Sequence, residues 1–363
     1  MIYRLIFLTI ITTYCPHMAA AILSDKSEPD ISEYWQVDDR QAARCNIVNA
    51  ITTDKAVMIC DNSTIFLAET STEILHRSAG MKWIKDNRGT ITSITPIAQS
   101  NLFAYTIWSG VTDEGSENNG LITIRERDSG NIIRSFSAHI SNPCCSASSD
   151  DGKYIATGSW DESAKIWEAS SGKNLAVLTG HSQSVFAVQF THDSERLITA
   201  SGDGTVRVWN INSKKEESRF DMNRQPGIPK TRKAYRIDIS PSENTVAIAG
   251  SDSVIYLWNY ASQKISNRIK TPSRGVSSVV YNFDGTMIGS ASYGDKNVYI
   301  WDCSTGNLVH RFSVEAPSDI LDEVSLAFHP TKNLLYAVCS TGELYIFDVV
   351  KVRRIKIPIV RRG

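Results

Sequence analysis

Residues 159–167 read SWDESAKIW, and residues 201–209 read SGDGTVRVW. The two stretches carry a serine, an aspartate and a final tryptophan at the same spacing, and they start 42 positions apart. A histidine precedes each stretch by the same interval, at positions 139 and 181. A period near 40 residues predicts a repeated supersecondary unit.

Each repeated unit is predicted to consist of short β-strands. Runs such as KYIATGS, VFAVQF and RLITASG are rich in β-branched and aromatic residues, and turn sequences such as GDG and SSGK separate them. Beyond the first residues of the chain, no window carries a convincing helical period. The sequence therefore predicts an all-β protein with about four short strands in each unit.

The pattern continues in both directions from the two best copies, with decay. The slot at the end of the third predicted strand is filled in order by Leu67, Arg125, Trp167, Trp209, Trp258, Trp301 and Phe347. The longer intervals contain apparent insertions at 109–120 and 221–235. We predict seven units, with approximate bounds 45–80, 90–138, 139–180, 181–221, 233–270, 275–313 and 323–360.

These residues resemble the WD-repeat β-propeller family. The resemblance rests on Gly180-His181, Ser201, Asp203 and Trp209, on their counterparts one unit earlier, and on the dipeptide Trp301-Asp302. It implies a seven-bladed propeller over residues 45–363, with four-stranded antiparallel blades that cover one another's faces. One chain end is expected to complete the last blade, and 353–360 is favoured over 33–39 for this role.

The resemblance also implies a structural role for the recurrent polar residues. They would form buried hydrogen-bonded chains that tie the loop before each first strand to a turn: His139, Ser159, Asp161 and Trp167, and His181, Ser201, Asp203 and Trp209. A catalytic Ser-His-Asp set is the competing interpretation, but the sequence offers no nucleophile elbow. A set repeated in two units favours structure, so we expect no catalytic residue, metal or cofactor.

Propellers of this family bind proteins or peptides on the face that carries the turns between second and third strands. The residues that the resemblance places there are Trp108, Cys144, Trp160, Ser184, Phe186 and Tyr293. Tryptophan and tyrosine dominate interface hot spots, although such a tryptophan can instead pack on a neighbouring blade. The expected function is a non-catalytic protein-interaction scaffold, a monomeric propeller within a complex. An enzyme or small-molecule binder using the central channel is the alternative.

The net charge and the first residues of the chain limit the kinds of partner and the cellular compartments to be expected. The formal net charge is −1, so no basic field indicates a nucleic-acid partner. Residues 1–21 combine Arg4, an apolar run and a small-residue end, which predicts a signal peptide followed by a polar lead-in at 22–44. A secreted or periplasmic protein without a membrane span after cleavage is expected. An uncleaved membrane anchor and a cytoplasmic scaffold stay open as alternatives.

The cysteines match no zinc or redox spacing. Cys45 and Cys60 flank a predicted hairpin of the first unit, where a disulfide between them is geometrically possible. Cys144 and Cys145 are adjacent, and we expect them to face opposite sides of one strand.

Overall fold

The computed structural model describes residues 45–52, 55–60, 64–69, 82–86, 88–109, 120–225, 232–273, 275–314, 324–339 and 343–358. At 45–85, 343–344 and 355–358 only the backbone is described. The chain divides into two compact units, and the larger one spans Ala42–Ile359. The other unit comprises Met1–Gln41 and Val360–Gly363, so the predicted signal peptide and most of the predicted lead-in fall there, outside the described residues.

The larger unit contains 28 described β-strands in seven four-stranded sheets, each made of four consecutive strands. The first three sheets are β1 (Cys45–Thr52), β2 (Lys55–Cys60), β3 (Thr64–Glu69) and β4 (Lys82–Lys85); β5 (Thr90–Ile97), β6 (Leu102–Trp108), β7 (Gly120–Glu126) and β8 (Ile132–His139); and β9 (Pro143–Ser148), β10 (Tyr154–Ser159), β11 (Ala164–Glu168) and β12 (Asn174–Leu178).

The next four sheets follow the same order. They are β13 (Val185–Phe190), β14 (Arg196–Ser201), β15 (Thr205–Asn210) and β16 (Glu216–Asp221); β17 (Ala234–Ile239), β18 (Thr245–Gly250), β19 (Val254–Asn259) and β20 (Lys264–Lys270); β21 (Val276–Tyr281), β22 (Met287–Ser292), β23 (Asn297–Asp302) and β24 (Leu308–Ser313); and β25 (Val324–Phe328), β26 (Leu334–Cys339), β27 (Glu343–Asp348) and β28 (Arg353–Pro358).

Every described strand pair within these sheets is antiparallel. The only described helix is a 3-10 turn at Met222–Arg224. No described helix is long and apolar enough to cross a membrane. This architecture confirms the predicted all-β class of four-stranded antiparallel sheets.

The first strands of the seven sheets, here called the inner strands, lie next to one another in chain order. They are β1, β5, β9, β13, β17, β21 and β25, and β1 in turn contacts β25 and β26. The outer strand of the last sheet is β28, which pairs with β27. Among the described strands, the first and last sheets share none, so packing rather than strand pairing joins them.

The core lies between successive sheets, because the sheets whose side chains are described bury both faces against their neighbours. The second strands show this most clearly, since all six residues of β18 are buried. Between the fourth and fifth sheets, the Phe220 ring lies 5.8 Å from Trp258 and 5.3 Å from Tyr256. Fully burying one such side chain contributes about 1.5–3 kcal/mol. One sheet alone would leave this surface exposed to water.

Candidate functional site

A continuous hydrogen-bonded chain crosses the third sheet. The Trp167 Nε1–H donates to Thr157 Oγ1 at 2.9 Å, and the Thr157 hydroxyl donates to His139 Nε2 at 2.8 Å. The His139 Nδ1–H then donates to Asp161 Oδ2 at 2.8 Å. These directions hold for the neutral imidazole with its proton on Nδ1, and burial favours the neutral form because it lowers the His139 pKa. The chain ties the end of β8 to the β10–β11 turn.

The fourth sheet repeats this chain with nearly equal distances. The Trp209 Nε1–H donates to Thr199 Oγ1 at 2.9 Å, and Thr199 Oγ1 lies 2.8 Å from His181 Nε2. His181 Nδ1 lies 2.9 Å from Asp203 Oδ2. The second copy makes the spacing of 42 positions a repeat of geometry as well as of sequence.

Threonine, and not serine, stands between histidine and tryptophan. The resemblance implies Ser159 and Ser201 in these chains, but the structure places both at the turn. Ser159 Oγ accepts from the Asp161 N–H at 3.1 Å, and Ser201 Oγ accepts from the Asp203 N–H at 3.1 Å. Thr157 and Thr199 lie two residues earlier on the same strands. Their recurrence 42 positions apart was the sequence signal for them.

We call the hydrogen-bonded chains of His139, Thr157, Asp161 and Trp167 and of His181, Thr199, Asp203 and Trp209 the braces. The pKa shifts in the third sheet agree with a structural role for its brace. Burial acts to raise the pKa of Asp161, but hydrogen bonds from His139 and Ser163 outweigh it and lower this pKa to about 2. Burial lowers the pKa of His139, while Asp161 acts in the opposite direction. At neutral pH the pair is therefore a carboxylate that accepts from a neutral imidazole.

The fifth sheet keeps the turn aspartate but replaces its partner. The Asp252 carboxylate lies 2.9 Å from the Arg232 Nη1 and accepts from the Tyr256 hydroxyl at 2.8 Å. Arg232 is buried, although its sequence context reads as part of a solvated basic insertion. This sheet has no histidine in the equivalent position, and the sequence pattern does not predict the arginine and tyrosine that replace it.

The sixth sheet makes a third variant of the same brace. Asp295 accepts from the Tyr299 hydroxyl at 2.9 Å and from the Ser273 hydroxyl. The Trp301 Nε1–H donates to Ser290 Oγ at 2.8 Å, so serine here takes the position that threonine has in the third and fourth sheets. The turn aspartate and the tryptophan thus keep hydrogen-bond partners where the sequence motif decays, although no described hydrogen bond joins the two sets into one chain.

The inner strands carry a second repeated feature, a β-bulge near the end that enters each sheet. Registers shift at this point in five consecutive inner strands, β5, β9, β13, β17 and β21. The extra residues at these bulges are Thr92, Cys144, Phe186, Tyr235 and Ser277. Bulges redirect side chains and are frequent at functional sites. We call the end of the inner strands where these residues lie the mouth.

Three aromatic side chains from three sheets touch at the mouth, and we call them the aromatic row. The Phe186 ring centroid lies 5.6 Å from that of Tyr235, which lies 5.9 Å from that of Tyr293 in an edge-to-face arrangement. Both are favourable aromatic geometries. Tyr293 is 42% exposed, and the other two rings are partly buried.

The aromatic row contains two of the residues predicted for partner binding and one that was missed. Phe186 and Tyr293 were predicted, whereas Tyr235 was assigned to the insertion at 221–235. The structure instead makes Tyr235 the second residue of β17. Its position at the bulge, equivalent to that of Phe186, becomes visible only from strand register.

The absence of a side chain at Gly202 leaves room for the Phe186 ring in the aromatic row. A Cβ atom at position 202 would lie 3.1 Å from the Phe186 ring and 2.9 Å from Gln183 Oε1, both closer than ordinary contact. The Gly202 N–H donates to the Ser184 backbone oxygen at 2.9 Å, so predicted residue Ser184 helps to close the same turn. Where the third sheet has Trp160, the fourth therefore has a glycine.

The remaining predicted contact residues stand outside the described aromatic contacts. Trp160 is 55% exposed, and its backbone N–H donates to the Asn142 oxygen at 3.0 Å. Trp108 is half-buried at the end of β6. Cys144 is half-buried, and its Sγ lies 3.0 Å from the Val185 oxygen.

The predicted disulfide partners lie opposite one another in the backbone. Cys45 and Cys60 are register partners in the β1–β2 pair. Directly opposed residues of antiparallel strands have Cα separations of about 4.5–5.5 Å, within the range that disulfides use. The disulfide itself stays a prediction. Among the residues that the structure describes, no group of three or more His, Cys, Asp or Glu side chains could hold a metal ion.

Three segments of the chain match the family model described as WD domain, G-beta repeat, at residues 130–168, 172–210 and 264–302. Each segment begins near the outer strand of one sheet and ends with the third strand of the next. The sequence repeat is therefore one strand out of phase with the sheet, and each repeat joins two neighbouring sheets.

Known proteins align with more than half of the chain at 25–28% identity. The chain is 28% identical over 246 residues to the serine-threonine kinase receptor-associated proteins of Rattus norvegicus and Homo sapiens, which is 66% of this chain and 66% of each relative. It is 25% identical over 208 residues to Periodic tryptophan protein 2 of Arabidopsis thaliana, which is 57% of this chain and 22% of that relative. The alignments thus cover just under two thirds of the first two relatives.

These matches confirm the resemblance to the WD-repeat family, and they indicate no specific member. Together with the sheets described above, they are consistent with a β-propeller of the WD type. WD-repeat proteins are typically protein-interaction scaffolds, so a protein partner and a non-catalytic role agree with the family.

Proposed function

We propose that this protein is a non-catalytic scaffold that binds a protein or peptide partner through the aromatic row of Phe186, Tyr235 and Tyr293. The observation that carries the proposal is the pair of ring contacts that links these side chains across three sheets at the mouth. Aromatic side chains supply large contact areas and lose little rotamer entropy on binding. A partner segment that crosses the mouth would contact all three rings.

The partner is expected to present apolar or aromatic side chains from an extended segment. The row offers ring faces and edges, which suit an apolar or aromatic anchor. Trp160, 55% exposed at the equivalent turn of the third sheet, would extend this contact surface.

The braces support a non-catalytic role. A general base needs a free nitrogen within reach of a nucleophile, but His139 Nε2 accepts from Thr157, which is fully buried. His181 has the same arrangement with Thr199. The Ser159 and Ser201 hydroxyls accept from the turn backbone, and the Ser201 hydroxyl donates to the Gln183 backbone oxygen, so neither serine bonds to a histidine in the described contacts.

A small-molecule site along the inner strands is the alternative, and Asp238 on β17 is its best acidic candidate. Its Oδ1 already accepts from Gln189 Nε2 at 2.9 Å, and its Oδ2 accepts from the Tyr281 backbone N–H at 2.6 Å. These bonds link three neighbouring inner strands, so the carboxylate is better explained as part of the wall.

Site-specific photo-crosslinking tests the proposed surface. A photoreactive phenylalanine analogue at position 293 is compared with the same analogue at 283, because Phe283 is 41% exposed and lies on the opposite turn of the same sheet. We expect a discrete protein crosslink at 293 that Phe186→Ala weakens, and none of the same mass at 283. Equal crosslinks at both positions, or a discrete one at 283 alone, would exclude the aromatic row as the binding surface.

The compartment stays a separate prediction. Residues 1–21 lie outside the described part of the chain, and the similarity to known proteins does not support export. A secreted or periplasmic protein, an anchored protein and a cytoplasmic protein make different predictions for the mature N-terminus. Mass spectrometry of that N-terminus, from protein made in its own host, distinguishes cleavage after residue 21 from an intact chain.

A further inference from the structure

Cys144 and Cys145 point their thiols to the same place, although adjacent strand residues normally alternate. Cys145 pairs with Gly158 and Pro143 pairs with Ser159, so Cys144 is the extra residue of a bulge in β9. The Sγ atoms of Cys144 and Cys145 lie 3.0 Å and 3.6 Å from one atom, the Val185 backbone oxygen. The expectation that the two side chains face opposite sides of the strand is therefore wrong, because the bulge interrupts the alternation.

The two cysteines differ in burial. Cys145 is buried, and a Cβ atom at Gly158 would lie 2.6 Å from its sulfur, so the glycine makes room for this thiol. Cys144 is half-buried. It occupies the bulge position that Phe186 has in the next sheet, which places it at the mouth.

The surroundings make the two thiols unequal. A hydrogen bond from Cys145 lowers the pKa of Cys144, burial opposes this effect, and the Arg236 guanidinium adds to the lowering. Burial raises the pKa of Cys145 well above its usual value. Cys144 is therefore the thiol that reacts first, and Cys145 lies within hydrogen-bonding reach to complete a second bond.

Backbone geometry decides which bidentate product fits. Consecutive Cα atoms across a trans peptide are about 3.8 Å apart, shorter than the roughly 4.4–6.8 Å that disulfides usually span. A disulfide between neighbours would therefore be strained. A single bridging atom bonded to both sulfurs allows the two sulfurs to lie farther apart, since a metal–thiolate bond is about 2.3 Å for zinc. Such a bridge suits two thiols that already share a hydrogen-bond partner.

We propose that Cys144 and Cys145 form a vicinal dithiol site that chelates one soft, thiophilic centre, of which a trivalent organoarsenical is the representative. With an arsine oxide, two S–As bonds form and the As=O bond breaks. The two thiol protons leave with the oxygen as one water molecule, and no atom changes oxidation state. The site does not depend on the proposed function, since it uses no partner contact.

Phenylarsine oxide is the probe that tests this site. The full chain is reduced, treated with one equivalent of the probe and then with excess glutathione, and its intact mass is measured. We expect one phenylarsenic adduct that resists the monothiol, is removed by dithiothreitol, and maps to the peptide containing residues 144–145. Cys144→Ser and Cys145→Ser should each abolish the resistant adduct, and thermal melting checks that both variants remain folded.

Two controls separate this pair from the other thiols. Cys303→Ser should retain the resistant adduct, because Cys303 has no neighbouring cysteine in the described sheets. Cys45→Ser should retain it as well, because the predicted Cys45–Cys60 pair would otherwise be a second bidentate site. A resistant adduct that survives in both Cys144→Ser and Cys145→Ser, or its absence from the wild-type chain, would overturn the proposal.

Discussion

The Nε2 atom of His139 lies 2.8 Å from the hydroxyl of Thr157, and that hydroxyl also accepts the indole N–H of Trp167. One buried oxygen thus serves as donor and acceptor between two rings. Networks of this kind strengthen when complete and are costly when one member is removed.

Thr157→Val should therefore destabilise the fold more than Ser159→Ala. The valine keeps the shape but leaves the His139 lone pair and the Trp167 N–H buried without a partner, which costs on the order of 2–4 kcal/mol. Removing the Ser159 hydroxyl loses a turn bond of about 1 kcal/mol. Urea unfolding of both variants measures the difference, and a larger loss for Ser159→Ala would contradict the assignment of the threonine.

Asp161→Asn should lower stability at neutral pH. The Asp161 pKa is about 2 in the fold against 3.8 for the free side chain, so its carboxylate stabilises the fold above pH 3.8 and loses this effect as the pH falls toward 2. The shift corresponds to about 2 kcal/mol. Unfolding free energies at pH 7 should differ by this amount and converge at acid pH, whereas a gap that stays constant between pH 4 and 2 would argue against the hydrogen bond from His139 to the Asp161 carboxylate.

Asp238→Asn should instead raise the stability of the fold at neutral pH. Burial raises the Asp238 pKa to about 6, so the ionised carboxylate costs stability above pH 6, and this cost disappears as the pH falls toward the free value of 3.8. The asparagine oxygen can still accept from the Tyr281 N–H. Its NH2 group can donate to the Gln189 oxygen once the Gln189 amide has flipped. At pH 7.5 the variant should be more stable by about 1–3 kcal/mol.

The matched measurement for Asp238→Asn is the same unfolding experiment at pH 4.5. Wild-type Asp238 is then protonated in the folded state, so the two proteins should have similar stability. A variant that is destabilised equally at both pH values would show that the charged acceptor is needed, and that burial does not dominate its titration.

The Arg232–Asp252 pair predicts strong coupling in a double-mutant cycle. Arg232→Met leaves Asp252 without its 2.9 Å partner, and breaking one side of a buried pair typically costs about 3–5 kcal/mol. The double variant Arg232→Met/Asp252→Asn should lose less than the sum of the single variants, because no unpaired charge is left inside. Additive losses in thermal or urea unfolding would indicate that the two groups do not interact.

Sequence periodicity predicted about four strands in each unit. The resemblance to the WD-repeat family implied the two braces from the recurrent histidine, aspartate and tryptophan. It misplaced the middle member, since Ser159 and Thr157 lie on the same face of β10 and only distance separates them. It missed Arg232 and Tyr256 because the fifth sheet keeps the function of the brace with different residue types. Tyr235 was hidden by an insertion whose end can be located only from register.

The mouth was less predictable than the braces for a physical reason. Bulges insert one residue into a strand and reverse its alternation, and no sequence signal marked them in β9 or β13. The convergence of Phe186, Tyr235 and Tyr293 depends on neighbouring sheets, whereas the braces of the third and fourth sheets each lie within one sequence repeat.

The seam between the first and last sheets has a mechanical consequence. Because the described strands place β1–β4 in one sheet and β25–β28 in another, no backbone hydrogen bonds run across this boundary to resist separation. Under force applied between the two chain ends, the circle should open at this boundary into a curved row of intact sheets before any sheet loses a strand.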